Sequence, residues 1–197
     1  MLVSLEERAR RYATRAHAEA GQRRKYTDEP YIVHPAAVVE LVRSVNPDEA
    51  LLAAAWLHDT VEDTDSTLHD IETHFGHHVA QLVAMLTDDV APQANNRAAR
   101  KLAYFHHTAH ASSEAQTIKL ADIIDNTRSI VRFDPHFARI YLVEKRIQVN
   151  LLKKGDAQLW QQASTVIESG IAQLGKPPYS VPQSWFVSQA AKYQDMS

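Results

Sequence analysis

The sequence has 197 residues, of which 45% are hydrophobic and 23% charged, as is ordinary for a globular protein that buries a sizeable core. Its formal net charge of −3 argues against a nucleic-acid-binding or membrane-surface protein. The absence of cysteine excludes disulfides, thiolate metal sites and a cysteine nucleophile. No apolar run approaches the roughly 20 residues of a membrane span, and residues 1–20 show no signal peptide. We therefore expect a cytoplasmic protein.

Five glycines and few alternating β-branched runs predict an all-α protein. Loops are predicted at residues 21–31 and 88–93 from their turn residues. We expect one domain over residues 1–175, followed by a tail over residues 176–197 that Trp185 and Phe186 would dock. The predicted helices, in chain order, are 5–20, 35–45, 50–64, a segment between Thr67 and Gly76, 77–86, 96–110, 114–131, 134–154 and 157–174.

The most informative stretch is residues 50–64, where an apolar run of strong helix formers ends in four titratable residues. His58 and Asp59 are adjacent, and Glu62 and Asp63 follow each of them at a spacing of four. On a continuous helix, both acids would lie one turn beyond the His–Asp pair. A His–Asp dipeptide alone is more often a solvated helix end, but burying these groups costs several kcal/mol without a cation. The stretch therefore predicts a metal ion.

Two distant residues complete a plausible ligand set. His34 precedes Pro35 at a predicted helix start, and Asp122 lies inside an apolar helix. With His58 and Asp59 they provide two imidazoles and two carboxylates, which suit six-coordinate Mn²⁺ or Fe²⁺ with positions left for water and substrate. A structural zinc site would more often use cysteine. Such a centre enables hydrolysis at phosphorus.

Three segments carry a resemblance to a known family: GQRRKYTDEPYIVHP at 21–35, LLAAAWLHDTVEDT at 51–64 and IKLADIIDNTRS at 118–129. They resemble the hydrolase domain of the RelA/SpoT-homologue family, within the HD superfamily of metal-dependent phosphohydrolases. The resemblance covers roughly residues 10–155. It implies a single-domain helical bundle that binds one Mn²⁺ ion. It also implies removal of the 3′-pyrophosphate from the alarmone (p)ppGpp, giving GDP or GTP and pyrophosphate. Since nothing like a synthetase domain follows, the length implies a stand-alone small alarmone hydrolase.

The resemblance also implies roles for individual residues. Glu62 and Asp63 would orient or deprotonate the attacking water. The implied metal ligands are His34, His58, Asp59 and Asp122. The implied substrate-binding residues are Arg24, Lys25, Asn126, Arg128, Ser129 and, on a neighbouring helix, Lys101.

The sequence departs from the family pattern near the basic pair. His17 precedes Gly21 by four residues, whereas one residue separates the corresponding pair in many members. The loop before Pro30 is also one residue longer than in the long bifunctional enzymes. Preferences for base and phosphate therefore stay open at this stage.

Three alternatives to a guanosine alarmone hydrolase remain open on sequence alone. Related HD enzymes act on deoxynucleotides, and close relatives of the alarmone hydrolases act on adenosine alarmones or on the 2′-phosphate of NADPH. A degenerate HD domain would only sense nucleotide, but such a module has no need for Glu62 and Asp63. Each alternative predicts a purine or other nucleotide partner and no nucleic acid or membrane, and each leaves the oligomeric state open.

Overall fold

A computed structural model describes residues 3–89 and 96–194, and every regular element within these ranges is a helix. The predicted all-α class is therefore confirmed. None of the described helices combines the length and apolarity that a bilayer-spanning segment requires. The helices are α1 (Leu5–Glu19), α2 (Val33–Arg43), α3 (Glu49–Leu57), α4 (Thr60–Asp63), α5 (Leu68–Phe75), α6 (His77–Leu86), α7 (Arg97–His110), α8 (Ser113–Thr127), α9 (Ile130–Phe133), α10 (Pro135–Leu151), α11 (Ala157–Leu174) and α12 (Gln183–Ala191).

Two helices, α3 and α8, form the centre of the bundle. All residues from Leu51 to Leu57 are buried in α3, which packs against α1, α2, α6 and α8. The α8 helix contacts α2, α6, α7, α10 and α11, and it is buried almost throughout its length. Helices that are apolar on all faces occupy a core. A polar residue at the end of α3 or inside α8 is therefore held in a poorly hydrated environment.

Capping residues visible in the sequence set several helix boundaries. The carboxylate of Asp48 accepts a hydrogen bond from the Leu51 amide at the start of α3. Thr67 and Asp70 form the predicted capping box of α5. Gly76 ends that helix with φ of +90°, a conformation that favours glycine. These predicted boundaries are confirmed.

The predicted continuous helix over residues 50–64 was wrong, because α3 ends at Leu57 and a short α4 follows. His58 and Thr60 donate side-chain hydrogen bonds to the carbonyls of Ala55 and Leu57, and such bonds compete with the helical ladder. The amide of Asp63 still donates to the Asp59 carbonyl at 3.0 Å. The acid pair therefore remains one turn beyond the His–Asp pair despite the break.

The helix predicted over residues 114–131 was also divided, since α8 ends at Thr127 and α9 begins at Ile130. The C-terminal segment contains a helix, α12, which sequence analysis did not predict. Phe186 of α12 is 2% exposed, and α12 packs against α10. Of the loop predicted over residues 88–93, residues 90–93 lie outside the described ranges.

Candidate active site

Four predicted ligands from three parts of the chain converge beside α8. One ligand atom each from His34, His58 and Asp59 lies within 4.8 Å of the others. Asp122 joins them, with its Oδ1 atom 3.1 Å from His34 Nε2 and 3.8 Å from His58 Nε2. Asp59 Oδ2 lies 3.1 Å from His58 Nε2. We call these four residues the HD cluster.

Hydrogen bonds at the Nδ1 atoms orient both imidazoles. His58 Nδ1 lies 2.7 Å from the Ala55 carbonyl oxygen, which only accepts, so Nδ1 carries the proton. His34 Nδ1 likewise lies 2.7 Å from the carboxylate of Asp125. Each Nε2 atom therefore faces the carboxylates of the HD cluster, as in metal-binding histidines whose other nitrogen is fixed by a second group.

The donor set fits a divalent cation. His58 Nε2 is buried and has no hydrogen-bond partner within the described residues. Two carboxylates converge on the same point, and buried like charges of this kind are stabilised by a cation. The HD cluster thus offers nitrogen and oxygen ligands to one ion.

The electrostatics of the cluster favour positive charge at its centre. Burial lowers the pKa of both imidazoles. Asp122 and Asp125 outweigh it at His34, and Asp59 and Asp122 outweigh it at His58, so both pKa values lie above the ordinary one. Burial raises the pKa of Asp59, yet neighbouring His58 brings it below its usual range. The pKa of Asp122 also lies well below its ordinary value, because the attraction of Lys119 and the two imidazoles outweighs burial. Both acids therefore stay ionised and attract a cation.

Three contacts that sequence analysis did not predict hold the carboxylates of the cluster. Lys119 Nζ donates to Asp122 Oδ2 at 2.7 Å, and Asn126 Nδ2 donates to Asp122 Oδ1 at 2.7 Å. Tyr31 donates from its hydroxyl to Asp59 Oδ2 at 2.5 Å. The helical spacing of three from Lys119 to Asp122 is a signal that could have identified this pair.

The predicted acid pair lies at the edge of the cluster. Glu62 accepts from the Asp88 amide at 3.1 Å, and Asp63 accepts from Gln22 Nε2 at 2.9 Å. Burial raises the pKa of both carboxyls, and the charge of Asp59 raises them further. Both side chains also reach solvent. The pair can therefore contact water while keeping a proton affinity above that of an ordinary carboxylate.

The departure from the family pattern at His17 has a structural consequence. His17 is 1% exposed, and its Nδ1 atom lies 2.7 Å from Gln22 Oε1. Because Gln22 Oε1 accepts from His17, its amide nitrogen is directed at Asp63. His17 thus reaches the acid pair through Gln22 even though it is four residues from Gly21.

A cavity of about 360 Å³ is linked to the HD cluster through Asn126, which lines the cavity and donates to Asp122. Two of its lining residues, Tyr26 and Phe133, are stacked, with ring centroids 5.6 Å apart and an angle of 1° between the ring planes. Aromatic walls with a few cationic and amide groups suit a planar base. The lining residues are Arg24, Lys25, Tyr26, Thr27, Asn126, Ser129, Ile130, Phe133, Phe137 and Tyr141.

Four of the six predicted substrate residues line this cavity, and two do not. Arg128 is exposed at the end of α8 and is not part of the lining. Lys101 is not part of the lining either, and its Nζ atom lies 3.8 Å from a carboxylate oxygen of Asp88. The four residues in the lining are Arg24, Lys25, Asn126 and Ser129.

Comparison with known proteins identifies the family to which the chain belongs. A family model described as "HD domain" matches residues 9–148, so the chain belongs to the HD-domain family. The all-α HD fold predicted from the sequence is thereby confirmed.

Particular relatives carry a more specific name. Guanosine-3′,5′-bis(diphosphate) 3′-pyrophosphohydrolase MESH1 of Xenopus tropicalis is 39% identical over 130 residues, covering 64% of this chain and 70% of the relative. The Homo sapiens protein of the same name is 40% identical over 127 residues, covering 63% and 68%. A solved structure titled as a metazoan orthologue of SpoT that hydrolyses ppGpp is similar with a TM-score of 0.74 and 30% identity, covering 86% of this chain and 97% of that one.

Proposed function

We propose that this chain hydrolyses the 3′-pyrophosphate of guanosine alarmones, (p)ppGpp, releasing GDP or GTP and pyrophosphate. One observation carries the proposal: Asn126 joins the HD cluster to the cavity. Its Nδ2 atom donates to Asp122, and its Oδ1 atom accepts from Arg24 at 3.1 Å in the cavity wall. A nucleotide with its base in the cavity would therefore present its ribose phosphates near the cluster. The names of the MESH1 relatives support the same activity.

The HD cluster would hold one Mn²⁺ ion through His34, His58, Asp59 and Asp122. A mixed nitrogen and oxygen set with open positions favours this ion over a closed zinc site. When bound, the ion supplies positive charge that neutralises phosphate oxygens and lowers the pKa of water from about 15.7 towards neutrality.

The acid pair would handle the proton of the attacking water. Water attacks the phosphorus attached to the ribose 3′-oxygen, the bond between that oxygen and phosphorus breaks, and the 3′-oxygen takes up a proton. Glu62 is our first candidate for accepting the proton from water, because burial has raised the pKa of its carboxyl. Asp63, which accepts a hydrogen bond from Gln22, would orient the water.

The cavity would select a purine nucleotide. The guanidinium of Arg24 is planar and can stack on a base, whereas Lys25 offers a point charge suited to phosphate. Asn126 and Ser129 add hydrogen-bonding groups to the lining. Lys101 and Arg128, outside the lining, would contact outlying phosphates.

The direct test is a substrate panel. Purified protein with Mn²⁺ is incubated with ppGpp, pppGpp, their adenosine counterparts, NADPH and a deoxynucleoside monophosphate, and products are resolved by anion-exchange chromatography. We expect GDP and pyrophosphate from ppGpp at the highest kcat/KM. Orthophosphate release from NADPH or from the monophosphate, with ppGpp left intact, would contradict the assignment. No turnover of any member by the Mn²⁺-loaded protein would favour a sensing module.

A further inference from the structure

Lys145 is a half-buried cation that the mechanism above does not use. Its Nζ atom donates to Gln148 Oε1 at 3.0 Å and lies 5.4 Å from the centre of the Tyr141 ring. Neither partner is an anion. Within the described ranges, no carboxylate forms an ion pair with Lys145.

The nearest acids are already paired with other cations. Asp122 accepts from Lys119 at 2.7 Å. Glu144 accepts two hydrogen bonds from Arg97, at 2.8 and 2.9 Å. Burial lowers the pKa of Lys145 to about 7, and the charge of Lys119 lowers it further against the attraction of Asp122. An ammonium group in these surroundings lacks a compensating negative charge.

The position of Lys145 indicates which ligand would supply that charge. Tyr141, one turn earlier on α10, is part of the cavity lining. Lys119 and Asp122, whose charges act on Lys145, belong to the surroundings of the HD cluster. Lys145 thus lies beside a residue of the cavity wall, Tyr141, and close enough to Lys119 and Asp122 to be affected by their charges.

We propose that Lys145 binds the terminal phosphate of the substrate's 3′-pyrophosphate group. This inference rests on the proposed function, because that function places the inner phosphorus of the group at the HD cluster. The terminal phosphate then needs a cation outside the cluster and near the cavity. A poorly hydrated ammonium binds phosphate more strongly than an exposed one, since the low local dielectric strengthens the attraction.

The test measures binding separately from turnover. Two ligands are compared by calorimetry on Mn²⁺-loaded protein in a Glu62→Gln background: ppGpp, and the analogue with a 3′-monophosphate in place of the 3′-pyrophosphate. Adding Lys145→Met should weaken ppGpp binding about 10- to 100-fold, the range for hydrogen bonds to charged groups, and leave the analogue nearly unchanged. Lys153→Met removes one positive charge at an exposed position after α10 and should leave the affinities for both ligands unchanged.

Unfolding measurements exclude a merely structural role. Removing a half-buried cation that has no ion-pair partner should leave the nucleotide-free protein at least as stable as the parent, so Tm should not fall. Lys145→Gln, a second neutral variant that keeps a polar group beside Gln148, should give the same binding result if Lys145→Met folds poorly.

Two outcomes would overturn the inference. Equal weakening of both ligands would place Lys145 at the 5′-phosphates or the base, and no weakening of either would exclude it from the site. Failure of the wild-type protein to hydrolyse ppGpp would contradict the proposed function instead. The binding comparison would still decide whether Lys145 recognises a terminal phosphate.

Discussion

At the scale of single residues, we propose Glu62 as the proton acceptor, because its carboxyl accepts from the Asp88 amide and burial raises its pKa. Glu62→Gln keeps the shape of the side chain and removes the proton acceptor. We expect kcat to fall about 10²- to 10⁴-fold, the usual contribution of a general base. Steady-state kinetics together with metal analysis would check this, with metal content expected to stay unchanged.

A matched control is Glu19→Gln, which changes an exposed carboxylate at the end of α1 and should leave kcat unaltered. If Glu62→Gln retained full kcat, the proton acceptor would be assigned to Asp63. Loss of the metal in that variant would instead give Glu62 a role in holding the ion.

Asp125 supports the HD cluster without belonging to it, because its carboxylate accepts from His34 Nδ1 at 2.7 Å. Asp125→Ala should weaken Mn²⁺ binding about 10- to 100-fold, as is usual when the partner of a ligating histidine is removed. Asp125→Asn keeps an acceptor but loses the charge, so its Mn²⁺ affinity should lie between those of the wild-type protein and Asp125→Ala. Calorimetric titration with Mn²⁺ measures the effect. Asp65→Ala, at an exposed position near α4, is the control, and an equal loss there would refute the specific role.

The lowered pKa of Lys145 predicts a pH dependence of stability. The folded protein holds this proton below about pH 7, whereas the unfolded chain holds it up to its ordinary value near 10.4. Between these values the unfolded chain binds more protons, so the cost of the buried ammonium is largest below pH 7 and disappears as pH rises. The Tm advantage of Lys145→Met over wild type should therefore shrink between pH 6 and pH 10. Paired thermal unfolding without nucleotide tests this, and an advantage that grew with pH would contradict it.

At the scale of helices, an ion pair between a half-exposed arginine and a buried carboxylate links α7 to α10. Glu144 is 2% exposed and accepts from Arg97 of α7 and from the Tyr193 hydroxyl, the latter at 2.6 Å. Arg97→Ala leaves this carboxylate without its cation. We expect the free energy of unfolding to fall by about 2–4 kcal/mol, less than for a fully buried pair because the Arg97 side chain is 42% exposed. Urea unfolding measures the loss.

A double variant provides the control for that ion pair. Adding Glu144→Gln to Arg97→Ala removes the unpaired charge and should restore part of the stability. Additive losses from the two substitutions would show that they do not act through one interaction.

Local signals in the sequence predicted most helices but not the break after Leu57. Capping residues such as Asp48 and Gly76 act on the neighbouring backbone, so their effect on helix boundaries can be predicted from the local sequence. The break depends on His58 donating to a backbone carbonyl, and periodicity alone does not reveal that choice. The α12 helix was missed because its stability comes from packing of Phe186 against α10, a contact distant in sequence.

The same distinction applies to the site. The placement of His34 and Asp122 beside the His–Asp pair was predictable, since helical position and family resemblance both pointed to it. Asp125 lies on the same helix as Asp122, but spacing alone does not say that its carboxylate turns towards His34. Lys145 was not predicted, because its isolation from carboxylates depends on how α7, α8 and α10 pack together.

At the scale of the whole molecule, the HD cluster joins α2, α8 and the segment between α3 and α4. An ion bound there would connect parts of the chain that the unfolded state separates, so binding should stabilise the fold. Tm should rise with Mn²⁺ concentration and fall after chelation. Asp122→Ala should abolish this dependence, whereas Asp65→Ala should preserve it. A Tm that did not respond to Mn²⁺ in the wild-type protein would count against the metal site.

Mutation can change the orientations of the two imidazoles of the cluster in different ways. His34 takes its orientation from a side chain, Asp125, which a single codon change can replace. His58 takes its orientation from the backbone oxygen of Ala55, which every amino acid at that position would supply. Natural variants with retuned metal affinity should therefore accumulate changes around His34. The geometry of His58 can be altered only by changes that reshape the end of α3.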